Sequence, residues 1–482
     1  MSLQNQTISG VFWNFSQRFS TLLIQFIIIT IIARILSPAD FGMIGMLSIF
    51  SSLGLVILDS GFGQALIRNQ EVNQDDLSTI FFVQLFLGIT IYIILFLLSP
   101  AIADFFDEPS LIMISRYVFL IFPINSLGMI HMTLVRKRLK FKLMAKISIV
   151  SVSISGIIGV ISAYNDLGVW ALVIQMVIRS LLDTLILWIV IRWGPSLTFK
   201  STSIQKYLGF SFNLLVTGVM KVISRNIYTL LIGKFYPVAQ VGFYNQAKRF
   251  EQIPSESLTA VIQNVSYPIL STIQNDIVRL KNGYRKIITQ TMLVNLFVMF
   301  TLFAIADNLF IVLLTDKWTQ SIPYFKILCF YGMLYPLHSI NTNILKVRGK
   351  GKTIVILEVV RNIILAISII ITINESVFIL LFASVITTFI SVIINMYYSG
   401  KEIDYGIKEQ TLDFVPILLI FGTISVLVMS INLMELSNLL KLSIQIPVMI
   451  ILSALICEIF KINSYRSLKI LILEKYKQFM LR

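Results

Sequence analysis

Apolar residues run along this chain in long blocks separated by short polar gaps. A block of roughly 20 apolar residues, wound as a helix, matches the hydrocarbon thickness of a bilayer. The pattern predicts fourteen such helices: 11–33, 41–58, 77–98, 111–134, 145–163, 168–191, 208–233, 243–273, 284–306, 322–345, 353–373, 376–398, 414–432 and 442–460. The segment 243–273 differs from the rest, being long, polar and interrupted by Pro254. The expected fold class is therefore all-α: a polytopic membrane protein of about fourteen transmembrane helices. All the gaps are short, so no soluble domain is expected on either side.

Composition agrees with that pattern. Of 482 residues, 56% are hydrophobic and only 13% charged, with a mean hydropathy of +0.85. A soluble chain of this length would need more polar residues to cover itself. The net charge of +15 would ordinarily raise the question of nucleic acid. Its placement answers that question. Taking alternate loops, one set together with the C-terminal tail holds 26 Lys and Arg, and the opposite set holds four: Arg34, Lys234, Lys317 and Lys441. Basic loops belong on the cytoplasmic side, so both termini are expected to be cytoplasmic, and no nucleic-acid partner is expected.

Several chemistries are not expected. Cys329 and Cys457 both sit in apolar segments and suggest no disulfide framework. His131 and His338 are far apart, and no metal-ligand spacing or phosphate-binding glycine loop occurs. Neither a metal nor a cofactor is expected. Residues 1–10 hold no Lys or Arg, and no small-residue cleavage site follows the first apolar run, so a cleaved leader is not expected.

The chain repeats itself. "IIARILSPADFGM" (31–43) registers with "LIGKFYPVAQVGF" (231–243) at an offset of 200, placing Arg34 with Lys234, Ala39 with Ala239 and Gly42 with Gly242. "FPINSL" (122–127) matches "YPLHSI" (335–340). Two six-helix lobes are expected, 1–200 and 201–400, related by a pseudo-two-fold axis along the membrane normal. Residues 401–482 add two further helices and a basic tail. Pro123, Pro254 and Pro336 should each kink a helix, because proline removes a backbone donor.

Charge inside the apolar segments is the informative anomaly. The segment 208–233 carries Asn213, Thr217, Lys221, Ser224, Arg225 and Tyr228 at steps of three and four, which is one helical stripe. The segment 11–33 repeats this with Asn14, Gln17, Arg18, Thr21 and Gln25, and 243–273 continues it with Asn245, Lys248, Arg249, Gln252, Glu256, Thr259 and Gln263. Nine cations lie within spans, and facing lipid at about 3 kcal/mol each they would cost about 25 kcal/mol, more than a fold's net stability. They must face water, protein or ligand. Structural pairing is open to several: Arg179 with Asp183, Arg361 with Glu358, Lys248 or Arg249 with Glu251 or Glu256, and Arg116 near a helix end. Arg18, Lys221 and Arg225 have no acid within a turn on their own helices. The candidate substrate-binding cations are thus Arg18, Lys221, Arg225, Arg249, Lys248, Arg179 and Arg116, lining a hydrated cavity between the lobes. Asp59 and Glu256 are the candidates for ion coupling. Cations without acids imply an anionic cargo, and arginine's two-pronged fork suits phosphate.

At this point the residues carry a resemblance. "ARILSPADFGMIGMLSIFSSLGLVILDSGFGQALIRNQEVNQDDLSTIFFVQLFLG" (33–88), "VRKRLKFK" (135–142), "LGVWALVIQ" (167–175), "SRNIYTLLIGKFYPVAQVGFYNQAKRFEQIP" (224–254), "YPILSTIQND" (267–276) and "DKWTQSIPYFKIL" (316–328) together resemble the Wzx-type polysaccharide and lipopolysaccharide exporters. The branch they resemble exports colanic and teichuronic acids, within the multidrug/oligosaccharidyl-lipid/polysaccharide superfamily. The resemblance implies a flippase rather than an enzyme, working in the bacterial inner membrane. Its cargo would be an undecaprenyl-diphosphate-linked oligosaccharide, carried from the cytoplasmic to the outer leaflet by alternating access. It implies as partners that lipid-linked oligosaccharide, the membrane lipid, and a polysaccharide polymerase with its chain-length machinery. An organic-ion antiporter on the same fold would want a dominant acid in the cavity. A membrane polymerase would want a large outward loop.

Overall fold

The structure is a computed structural model and describes residues 20–480. Among the described residues, helices cover most of each segment that the apolar pattern marks. α1 covers Ser20–Ile35 of the described chain. It is followed by α2 (Pro38–Asp59), α3 (Phe62–Arg68), α4 (Gln74–Leu97), α5 (Ser99–Phe106), α6 (Leu111–Val118), α7 (Ile121–Lys137), α8 (Phe141–Tyr164) and α9 (Val169–Ile191). Then come α10 (Ser201–Phe235), α11 (Val238–Thr272), α12 (Ile277–Leu314), α13 (Ser321–Val347), α14 (Gly351–Thr372), α15 (Val377–Lys401), α16 (Ile407–Met429), α17 (Asn438–Ile459) and α18 (Asn463–Met480). Among the described residues, eleven helical stretches are long and apolar enough to cross a membrane. α11 and α13, expected as the spans 243–273 and 322–345, are not among them, and the expected span 11–33 is described only from residue 20.

The helix ends follow from local chemistry. Ser37 caps α2: its hydroxyl accepts from the Asp40 amide while Asp40 accepts from the Ser37 amide at 2.9 Å, and Pro38 occupies the first turn, where no donor is needed. Asn73 caps α4 and Asp276 caps α12, each side chain accepting from the amide three residues on. α1 ends at Ile35 and α2 starts at Pro38; α10 ends at Phe235 and α11 starts at Val238. The offset of 200 read from the sequence thus recurs in the backbone.

Two features, at Pro123 and in the basic tail, differ from the expected segments. Pro123 does more than kink: the helix expected at 111–134 breaks at Phe119–Leu120 into α6 and α7. The proline nitrogen cannot donate to Phe119, and the Phe122 amide takes that carbonyl instead at 3.1 Å. Pro254 and Pro336 sit inside the continuous helices α11 and α13. The basic tail forms a helix of its own, α18.

The chain divides into two compact units, 1–245 and 246–482. In the first, Phe62, Leu66, Ile80, Phe81, Ile130 and Leu134 form a core that also takes in Tyr207 of α10. A buried carboxylate fixes that helix. Asp76, at the start of α4, accepts hydrogen bonds from Ser203 (2.6 Å), Lys206 (3.2 Å) and Tyr207 (3.0 Å). By contact, therefore, α10 packs with α2, α3 and α4, whereas the sequence repeat counts 201–400 as the second lobe. Contact and repeat cut the chain in different places. In the second unit, α12 is the spine. Its Leu280, Tyr284, Ile288, Leu296 and Met299 pack with Leu337 and Ile344 of α13, with Phe421, Ile424 and Val428 of α16, and with Met449 and Cys457 of α17. Outward faces are strongly apolar: on α14 only Leu357 and Ile369 are buried, while Ile370 and Ile371 are exposed. Such a surface is what lipid covers.

Candidate functional site

Each expected site residue has a definite surrounding, apart from Arg18, which lies outside the described residues. In the first unit, α10 presents Lys221 and Arg225 on an exposed face one turn apart. On the same helical stripe, α10 lies close against the end of α2 and the turn after it: Gly218 leaves room for Val56, and Gly61 for Leu214. No described acid lies within ion-pair distance of Lys221. Arg116, on α6, donates to the Ser99 hydroxyl at 2.9 Å and lies 4.3 Å from the centre of the Phe96 ring. Arg179 is half-buried on α9 and its charge acts on Asp183 a turn further on. Asp59 accepts from the backbone amides of Gly61 and Gly63 and feels Arg136, so it closes the turn between α2 and α3.

In the second unit, the polar face of α11 contains an unusual pair. Gln246 is 2% exposed, and its amide nitrogen Nε2 is buried with no acceptor. Arg249, three residues on and hence on the same helix face, has a guanidinium NH1 that is likewise buried with no acceptor. An arginine can only donate, and an amide nitrogen can only donate. Leaving such donors unpaired costs about 1–3 kcal/mol each, so the arrangement suits an incoming acceptor. Lys248 and Glu256 are half-buried on the same helix. Glu251 points elsewhere. It is 1% exposed and packs against Gly332 of α13, with Oε1 unpartnered.

Lys326 and Arg361 are paired. Lys326 bonds both Asp307 oxygens, at 2.8 and 2.9 Å, and Asn432 donates to the same carboxylate at 3.2 Å. Arg361 meets Glu358 at 3.3 Å, the i,i+3 pair open to it in the sequence, and His338 adjoins both. Asp307 lies nineteen residues from Lys326, in the preceding helix, so no helical spacing announced it. Gln246 is a single amide in a helix rich in them, and nothing in the pattern distinguished it. Near the α4–α10 junction, outside the spans, the Asp76 hydrogen bond raises the Lys206 ammonium pKa above its usual value, and burial raises the Tyr207 phenol. An apolar groove of about 460 Å³ runs between α14 and α15 past Ile356, Val360, Ile393 and Tyr397, and no candidate cation lines it. Among the described residues, no group of three or more His, Cys, Asp or Glu stands close enough to hold a metal.

Long apolar helices packed into two compact units make this a polytopic membrane fold. Solved structures agree. The inward closed conformation of the lipid II flippase MurJ superposes with a TM-score of 0.71 at 17% identity, covering 94% of this chain and 99% of that one. An inward-facing multidrug resistance MATE family transporter of the MOP superfamily superposes at 0.59 and 13% identity, covering 80% and 94%. Residues 31–323 match the family model described as polysaccharide biosynthesis protein, and the chain belongs to that family. Relatives include the teichuronic acid biosynthesis protein TuaB of Bacillus subtilis strain 168, 23% identical over 352 residues and 73% of each chain. The lipopolysaccharide biosynthesis protein WzxC of Escherichia coli K12 is 25% identical over 336 residues, 69% of this chain and 68% of its own. These matches bear out the resemblance to the Wzx-type exporters.

Proposed function

We propose that this protein is a flippase that moves an undecaprenyl-diphosphate-linked oligosaccharide from the cytoplasmic to the outer leaflet by alternating access. The family and the flippase-like fold supply the class. The observation that carries the cargo's chemistry is the pair of orphaned donors on α11, Gln246 Nε2 and Arg249 NH1. A diphosphate offers only acceptors and negative charge at neutral pH, so it completes both groups at once. Lys221, Arg225 and Lys248 add cations of the same character, and Arg18 belongs with them by its place in the repeat. Arg116 and Arg179, which already touch or face protein groups, are assigned to structure rather than to cargo. Asp59 or Glu256 would serve if transport is coupled to an ion.

The head group crosses among polar side chains while the polyprenyl tail remains in lipid. With both termini cytoplasmic, as the distribution of basic loops favours, outward movement of the anion runs down the membrane potential, gaining about 2.3 kcal/mol per charge per 100 mV. A polymerase and its chain-length machinery would take the unit on the outer face.

Reconstituted vesicles test this directly. A fluorescent undecaprenyl-diphosphate-linked sugar, with an impermeant quencher outside, should flip in the presence of the protein, and the corresponding undecaprenol without phosphate should not bind. Equal binding of both lipids, or transport of organic cations in place of the diphosphate lipid, would overturn the reading.

A further inference from the structure

The repeated segments do more than resemble one another: they touch reciprocally. A Cβ added at Gly42 would strike the carbonyl of Val238, and one added at Gly242 would strike the carbonyl of Pro38 and the amide of Gly42. Position 42 thus meets 238, and position 242 meets 38, an exchange at the repeat offset of 200. Such an exchange of partners is the mark of a two-fold axis passing through the contact. One turn further on, a Cβ at Gly45 would strike the side chain of Asn245, its own counterpart in the repeat. All of these residues lie in the first compact unit. Backbone here lies directly on backbone, an approach that only glycine allows.

A second observation concerns Asn245. Thr229 donates to its Oδ1 at 3.1 Å, but its amide Nδ2 is buried with no acceptor. That nitrogen lies where a Gly45 side chain would be. The crossing therefore keeps one donor from water, and the donor would be satisfied if the helices moved apart. At Gly42 and Gly242 the contact is chiefly backbone on backbone, at Gly45 the Asn245 side chain fills the notch, and that polar group gains from opening.

We propose that the crossing of α2 and α11 at Gly42 and Gly242 is a two-fold backbone seal that closes one mouth of the transport path and parts during each cycle. The inference rests on the alternating-access reading above. The loop charges put this mouth on the outer side. A methyl group at either glycine holds the seal ajar, and the symmetry makes the two substitutions equivalent.

The test uses the full chain in vesicles, with cysteines introduced one at a time at Ala39 and Ala239, matched half-buried positions beside the crossing; the native Cys329 and Cys457 are buried. An impermeant maleimide should label Ala39→Cys slowly. Adding Gly42→Ala or Gly242→Ala should speed labelling about fivefold, equally for both. Adding Gly209→Ala, where nothing stands within 4 Å of the new methyl, should not change it. In the double variant, linking Ala39→Cys to Ala239→Cys with a short bifunctional thiol reagent should slow flipping of the fluorescent diphosphate lipid at least about tenfold, and cleaving the linker should restore it. Unchanged labelling in both alanine variants, or full-rate flipping by the linked protein, overturns the seal. Labelling needs no cargo, so a wrong cargo and a wrong seal give different results. If the alanine variants do not fold, the linked pair decides.

Discussion

Two places in the second unit hold buried or half-buried cations, and they treat them in opposite ways. Around Lys326 the chain has supplied everything needed: both Asp307 oxygens, then Asn432, Asn308 and Gln445 in one connected set of hydrogen bonds. Around Arg249 and Gln246 it has supplied nothing to two shielded donors. The same stretch of protein can therefore neutralise a cation when the fold needs one neutralised. Where it does not, the function proposed above assigns the missing acceptor to the cargo. A fold optimised for stability would have filled that gap, because an unpaired buried donor is among the costlier local defects.

Substitutions can break this contrast, and the largest effect is expected at Arg249. Arg249→Ala should lower the flipping rate of the diphosphate lipid about 100-fold, the loss of a charge-assisted bond made to the cargo. Its melting temperature in detergent should stay level or rise, since an unsatisfied group has gone. A clear fall in melting temperature with normal flipping would place Arg249 among the structural cations. Asp307→Ala should show the mirror image. It should cost about 2 kcal/mol of stability, reduced from the fully buried case because the pair is partly exposed, and leave the rate per folded molecule unchanged. Gln246→Ala should sharpen the picture with a smaller loss of flipping, about fivefold, matching a neutral hydrogen bond. At the far end of the scale, Lys469, whose ion pair with Glu458 (3.1 Å) is open to solvent, should contribute under about 0.5 kcal/mol on replacement by Ala, a difference that disappears in high salt.

The fold was readable from the sequence because bilayer physics writes it in block letters: apolar runs of fixed length, and basic residues sorted to one side. The repeat was readable because its two-residue links, 36–37 and 236–237, keep the same spacing from their flanking glycines. Other features were not. α18 is a helix whose tail sequence is too polar to register as a span, and Pro123 ends a helix outright only because Phe122 takes the carbonyl it abandons. At the site, the stripe on α11 marked Arg249 as one of several cations, but its distinction lies in what neighbouring helices fail to offer it. Helical periodicity reports on one helix at a time. The partner of Lys326, the anchoring of α10 by Asp76 and the isolation of Gln246 are all relations between helices.

The last two membrane helices, α16 and α17, are pinned at both ends. At one end Arg285 grips Asp413 at 2.5 Å and Lys281 grips Glu409 at 2.7 Å; at the other, Gln445 and Asn432 join Asn308 and Asp307. Such a hairpin cannot be treated as an appendage by anyone shortening the gene. A product stopped after α15 would leave the spine helix with Phe300 and Leu296 bare on one side and Arg285 without its acid.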